Sequence, residues 1–214
     1  MSACPYESRD PDRPRQGSVY RDVRALVCCT PVDPSAHFTL EEWEFPYAVA
    51  MSQECDLYQD HERRRQEAKE GSAQSEQPDH DKLLPSVLMC PAYHGASLRE
   101  GAHLDALGRR MPRQNSAQWN WIKTNQNPRY HYLASWVPLQ VPELVIDFKH
   151  FFTIPTEVLR TDYTNEEHNI ARLGCLYRED LSQRFTAYLA RVGLPVPHHR
   201  VVSAPGTSAP DAAV

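Results

Sequence analysis

The segment ELVIDFKHFFTIP, Glu143 to Pro155, constrains this fold more than any other stretch of the chain. It crowds valine, isoleucine, threonine and phenylalanine together, and such side chains pack well on a pleated surface. It therefore reads as strand. FPYAVAMS, Phe45 to Ser52, is a continuous apolar run of strand length bounded by charge. That pattern suits a strand buried on both faces, with a short buried helix as the alternative. Pro46 sits at its start, where proline is tolerated. LPSVLMCPAYHG, Leu84 to Gly95, repeats the pattern. GSVYRDVRALVCC, Gly17 to Cys29, supplies an earlier strand and RYHYLAS, Arg129 to Ser135, a later one with alternating faces. The expected class is mostly β with α, that is, α+β.

Between these runs the chain is polar. Residues 1–16 alternate prolines, arginines and acids without an apolar period and are expected to be disordered. A proline-bearing connection begins at Thr30. HERRRQEAKE, from His61, is helix-prone and charged all round, and GSAQSEQPDHD follows it. Together they mark a charged, solvated insertion over about 58–82. SLREGAHLDALGRRM and SAQWNWIKTN read as inserted helices, the second with Ser116 as N-cap. Trp119 and Trp121 are too close in sequence to face inward together on a helix, so one is expected at an interface. The last helix is expected from Leu176 to Val192, with Leu181, Phe185, Tyr188, Leu189 and Val192 on one face. Glu179 and Asp180 fall in its first turn, and Gly193 and Pro195 end it. One domain over 17–197 and a loose tail over 198–214 complete the organisation.

Composition narrows the class of function. The net charge of −5 makes the whole molecule no electrostatic magnet for nucleic acid, although a local basic groove is compatible with it. The 18 prolines against 8 glycines point to a compact centre with irregular flanks. The N-terminus lacks the apolar core of a signal peptide, and no apolar run nears the ~20 residues of a membrane span. The six cysteines are scattered, without a disulfide framework or a CxxC pair. A cytoplasmic protein with reduced thiols, no cofactor and no membrane partner is the expectation.

One stretch raises a chemical question. MSQECDLYQD, Met51 to Asp60, presents Ser52, Gln53, Glu54, Cys55 and Asp56 directly after a buried strand. It suits a nucleophile site, a metal or polynucleotide site, or an ordinary strand end.

The order of elements resembles the MazF/PemK toxin family, whose members have a small SH3-like β-barrel with a C-terminal helix. GSVYRDV resembles the family's opening strand around Gly-Asp-Val-Trp, YAVAMS its "PALVVS" strand and VLMCPAY its "VIVAPLT" strand. ELVIDFKHFFTIPTEVL resembles the segment around "LLDQIRTVDRSRL", and ARLGCLYREDL the "GRLS" turn into the last helix. The resemblance implies an SH3-like, partly closed β-barrel with inserted helices, acting on RNA, with an antitoxin-like protein partner and a homodimer as further expectations. Two catalytic positions of the family are not matched. The arginine before the second strand is replaced by Glu44-Phe45-Pro46, and the threonine or serine ending the third strand by Tyr93.

If the strands pair as in that barrel, Ser52 to Asp56 emerge at the same end as Cys90 to His94, and Arg129 and His131 join them from one face of the next strand. Cys55, Asp56, His94, Arg129 and His131 then form a candidate catalytic set for metal-independent RNA cleavage. His94 or His131 would exchange protons and Arg129 would hold phosphate. Ser52, Gln53, Tyr93, Arg129 and Tyr130 form a candidate nucleic-acid-binding set, with the tyrosines stacking on bases. Each has a plainer reading. Cys55 can be buried packing, Asp56 a turn cap, Arg129 an ion-pair partner of Asp147, and His131 a sheet histidine. Cys55, Cys90 and His94 are candidate zinc ligands, and a fourth is not evident. A non-catalytic protein- or nucleic-acid-binding barrel and a metal-stabilised structural domain are the alternatives.

Overall fold

The run around Ala48 is apolar throughout because the strand it forms is covered on both sides. In the computed structural model, which describes residues 4–29, 39–70 and 80–191, this strand is β3 (Thr39–Ala50). Val49 points into one core cluster and Ala48 and Ala50 into a second. The other strands are β1 (Tyr6–Glu7), β2 (Ser18–Cys29), β4 (Ser86–His94), β5 (Tyr130–Leu133), β6 (Leu144–Asp147), β7 (Phe152–Pro155) and β8 (Asn169–Leu173). The helices are α1 (Glu54–Glu70), α2 (Gly95–Glu100), α3 (Ser116–Lys123), α4 (Thr156–Asp162) and α5 (Cys175–Leu189).

The strands make one antiparallel sheet in the order β1-β8-β2-β3-β4-β6-β5, with β7 also paired to β4. β4 changes partner along one edge: Ser86–Met89 pair with β7 and Ala92–His94 with β6. Cys90 and Pro91 fall at the handover, where a residue without an N–H can sit in an inner strand. The class is therefore α+β, a partly closed barrel with inserted helices and a C-terminal helix, as the sequence predicts.

The barrel stays open between β1 and β5, and side chains close the gap. The Tyr6 hydroxyl donates to the Ala134 carbonyl at 2.8 Å, joining the two edges. Asn125 occupies the free edge of β5, accepting from Tyr132 N–H at 2.6 Å and donating to its carbonyl at 3.3 Å. Arg184 of α5 donates to the Tyr130 carbonyl at 2.9 Å. An edge satisfied in this way no longer offers a template for another strand.

α5 buries Leu181 and Phe185 against Val19, Leu144, Ile146 and Phe148. On the opposite face, Leu57 of α1 and Leu159 of α4 pack with Tyr20, Val87, Met89 and Ile154. α2 and α3 bring Leu98 and Ile122 onto Tyr130 and Val145.

Several local expectations change. Residues 4–16, expected to be disordered, are part of the fold: Tyr6 is buried and β1 pairs with β8. Their order comes from a partner far along the chain. Glu54 accepts from Arg13 and Arg15, each at 2.8 Å, and from Gln16 N–H at 3.0 Å. The insertion over 58–82 is, to residue 70, the continuation of a helix that begins at Glu54. Its charge run is anchored by buried Asp60, which accepts from Arg64 and from the Leu84 N–H at 2.9 Å. The cap of α3 is Asn115, in a reciprocal capping box with Gln118, and not Ser116. Of the α3 tryptophans, Trp121 is the exposed one. α5 starts one residue early, so Glu179 and Asp180 lie past its first turn, and Leu189 faces solvent. Val192, Gly193, Pro195 and the 198–214 tail lie outside the described residues.

Candidate functional site

The antiparallel register of β3 and β4 decides where the expected site residues go. Ala50 lies opposite Met89 and Tyr47 opposite Ala92. The chain leaving β3 at Met51 is thus beside the start of β4, held by Met51 N–H to the Leu88 carbonyl at 2.8 Å. His94 is at the other end of β4, about 17 Å from Met89 at ~3.3 Å per residue. The expectation that Ser52–Asp56 and Cys90–His94 share a rim is therefore corrected. Segments that follow two neighbouring antiparallel strands emerge at opposite ends of the pair.

Ser52 and Gln53 precede α1, and Cys55 and Asp56 lie in its first turn. The Ser52 hydroxyl accepts the Leu88 N–H at 2.9 Å, a structural bond. Cys55 is exposed, so the buried-packing reading is also corrected. Its thiol donates to Asp56 Oδ1 at 3.3 Å and Gln53 Oε1 at 3.5 Å. The bond to Asp56 pushes the thiol pKa up, opposite to the shift an activated nucleophile needs. His94 is exposed, with its ring centroid 5.2 Å from that of Tyr47 in a T-shaped contact.

Arg129, Tyr130 and Tyr93 do come together, around Asp147. Arg129 lies in the bend before β5, so the strand alternation that was to align it with His131 does not reach it. Its Nε and Nη2 donate to Asp147 Oδ1 and Oδ2 at 2.8 and 2.6 Å, and its guanidinium covers the Tyr130 ring at 4.9 Å. Lys149 N–H donates to the same carboxylate at 3.0 Å, and His150 Nδ1 is 2.9 Å from Oδ2. Burial would raise the Asp147 pKa, but the Arg129 and His150 contacts overcome it and hold the group down at about 2. The ion-pair reading of Arg129 describes this geometry. The guanidinium would have to release both carboxylate oxygens to hold a phosphate in the same bidentate way.

Tyr93 and Tyr130 are buried, so neither offers a face for base stacking. Burial pushes the Tyr130 pKa up to about 12. A residue that the sequence reading missed belongs to this cluster. His103 is buried with its ring 5.0 Å from Tyr93, and neither of its nitrogens has a hydrogen-bond partner among the described residues. Burial lowers its pKa to about 4. Nothing in the segment read as inserted helices marks it.

His131 lies on the other face of β5, opposite Ile146, against Phe148 and α5. Arg184 Nε donates to its Nδ1 at 3.1 Å. Burial, followed by the nearby Arg184 charge, pushes its pKa down to about 3. It is a neutral sheet histidine at physiological pH. Arg184 itself is committed to the carbonyls of Asn125, Asn127 and Tyr130.

No group of three His, Cys, Asp or Glu among the described residues could hold a metal ion. Cys90, one of the three candidate zinc ligands, is buried opposite Val49, and the register keeps it apart from the exposed Cys55.

A different segment concentrates positive charge. Residues 95–123 carry Arg99, Arg109, Arg110, Arg113 and Lys123 against Glu100 and Asp105, a net charge of +3 within a chain of net −5. Arg99 and Arg113 line a cleft of about 310 Å³ with Gln114, Asn115 and Ser116. Arg113 pairs with Glu100 at 3.0 Å, Arg110 with Asp105 at 3.8 Å, and Arg109 lies over the Trp43 ring at 5.3 Å. Trp121 is 46% exposed on α3.

No helix among the described residues is long and apolar enough to cross a membrane. No protein-family model matches the chain, and no curated protein sequence does.

Proposed function

We propose that this chain is a non-catalytic barrel module that binds single-stranded RNA through the basic surface of residues 95–123. The observation that carries the reading is the +3 charge of that segment against the acidic remainder, on exposed side chains in a stretch that also carries the exposed Trp121. Basic side chains interleaved with an aromatic ring suit a phosphate backbone and its bases. RNA is the substrate class that the resemblance to MazF/PemK toxins implies. Cleavage is not part of the proposal. Cys55, His94 and His131 lie apart, and Arg129 is held by Asp147. RNA, in preference to an antitoxin-like protein or a second copy, is assigned as the partner, and the cytoplasm as the working compartment.

Fluorescence anisotropy with a labelled single-stranded 12-mer RNA, titrated across salt, tests this. Three to five phosphate contacts predict a slope of log K against log salt of about −2 to −3.5. Replacing Arg99 and Arg113 together by glutamine should make that slope shallower by about 1.4. Absence of binding at low salt, or a slope unchanged by the double substitution, overturns the proposal.

A further inference from the structure

The opening between β1 and β5 contains a second, chemically different cleft of about 380 Å³. That volume lies in the range of small-molecule sites. Trp136 and Tyr177 supply aromatic walls and Leu133 an aliphatic one. Asp180, from α5, is its one fixed charge. The nearest imidazole nitrogen, His131 Nδ1, is 4.0 Å from the Asp180 carboxylate but accepts a hydrogen bond from Arg184, so the ring is neutral there. Arg184 feels the Asp180 charge one turn away, yet its Nε donates to His131 and its terminal nitrogens to backbone carbonyls.

Two exposed apolar residues adjoin the lining residues in sequence. Val137 follows Trp136 and is 85% exposed. Leu176 precedes Tyr177, stands one helical turn before Asp180, and is 78% exposed. These are the two most exposed large hydrophobic residues among those described.

We propose that this cleft binds a small organic cation with an apolar body, an aryl- or alkylammonium whose charged end meets Asp180 and whose body lies against Trp136 and Tyr177. Aromatic faces and a carboxylate with no arginine or lysine ion pair among the described residues both favour a cation, and the same carboxylate repels an anion. The inference stands independently of the RNA reading, which concerns another surface.

Isothermal titration of the full chain with 2-phenylethylammonium, 2-phenylethanol and phenylacetate tests it. The ammonium should bind about tenfold more tightly than the alcohol, and phenylacetate should not bind. Asp180→Asn, at an exposed position, should abolish the preference for the cation and leave the melting temperature unchanged. Trp136→Ala should weaken ammonium and alcohol alike. An acetylated Ala-Lys-Ala peptide carries the same charge without the aromatic body and should bind more weakly than 2-phenylethylammonium. Equal binding of the three probes, no binding by the folded wild type, a preference that survives Asp180→Asn, or peptide binding as tight as that of the amine overturns the proposal.

Discussion

Replacing Arg129 by methionine separates a structural arginine from a phosphate clamp. The substitution keeps the aliphatic length and removes both hydrogen bonds to Asp147, a carboxylate with no exposed side-chain surface. The Asp147 pKa of about 2, against an ordinary 3.8, corresponds to about 2.5 kcal/mol of stabilisation at neutral pH. Removing one partner of a buried ion pair costs roughly 3–5 kcal/mol, and the remaining His150 and Lys149 contacts to Asp147, with the 20% exposure of Arg129, place this case at the lower end. The expected loss is therefore about 2–4 kcal/mol, or roughly 5–12 °C in Tm for a chain of this size. The pH dependence has a definite sign. A folded-state pKa below the unfolded one gives stability that is complete above about pH 4 and is lost as pH falls towards 2. Urea denaturation of wild type, Arg129→Met, Asp147→Asn and the double variant at pH 7 should return a coupling energy above about 1 kcal/mol. If Arg129→Met costs less than about 0.5 kcal/mol while RNA affinity collapses, the arginine is a phosphate ligand and the ion-pair account is wrong.

Other outcomes follow from the same structure. Phe185→Ala, which empties the contact between α5 and Phe148, should cost about 3–5 kcal/mol by chemical denaturation. Gly101→Ala should destabilise by more than 1 kcal/mol, because φ is +78° there and an added Cβ would meet the Met111 carbonyl. The His131 ring, observed by NMR, should show no titration between pH 8 and 5, since its pKa is lowered to about 3. Cys55, in a variant lacking Cys4, Cys28, Cys29 and Cys175, should alkylate slowly at pH 7 and faster as pH rises, because Asp56 raises its pKa.

The strands were readable because burial leaves a local mark. FPYAVAMS and VLMCPAY are apolar on both faces, and ELVIDF is rich in β-branched and aromatic residues. The placement of the expected site was not readable in the same way, because it rests on pairing direction and not on composition. Once β3 and β4 are antiparallel neighbours, Cys55 and His94 must separate, however suggestive their chemistry. The order of residues 4–16 was hidden for a related reason. Prolines and alternating charges look solvated until Glu54, 41 positions from Arg13, gathers the arginines. Arg129 illustrates the limit of periodicity: one residue before a strand, the alternation rule no longer says where a side chain goes.

The most direct measurement is incubation of purified protein with a 5′-labelled single-stranded RNA in EDTA, analysed in parallel by gel shift and by denaturing gel. A non-catalytic RNA-binding barrel should give a salt-sensitive complex with the RNA intact, weakened in the Arg99→Gln, Arg113→Gln double variant. Shortened RNA that disappears with Cys55→Ala or His94→Ala would contradict it.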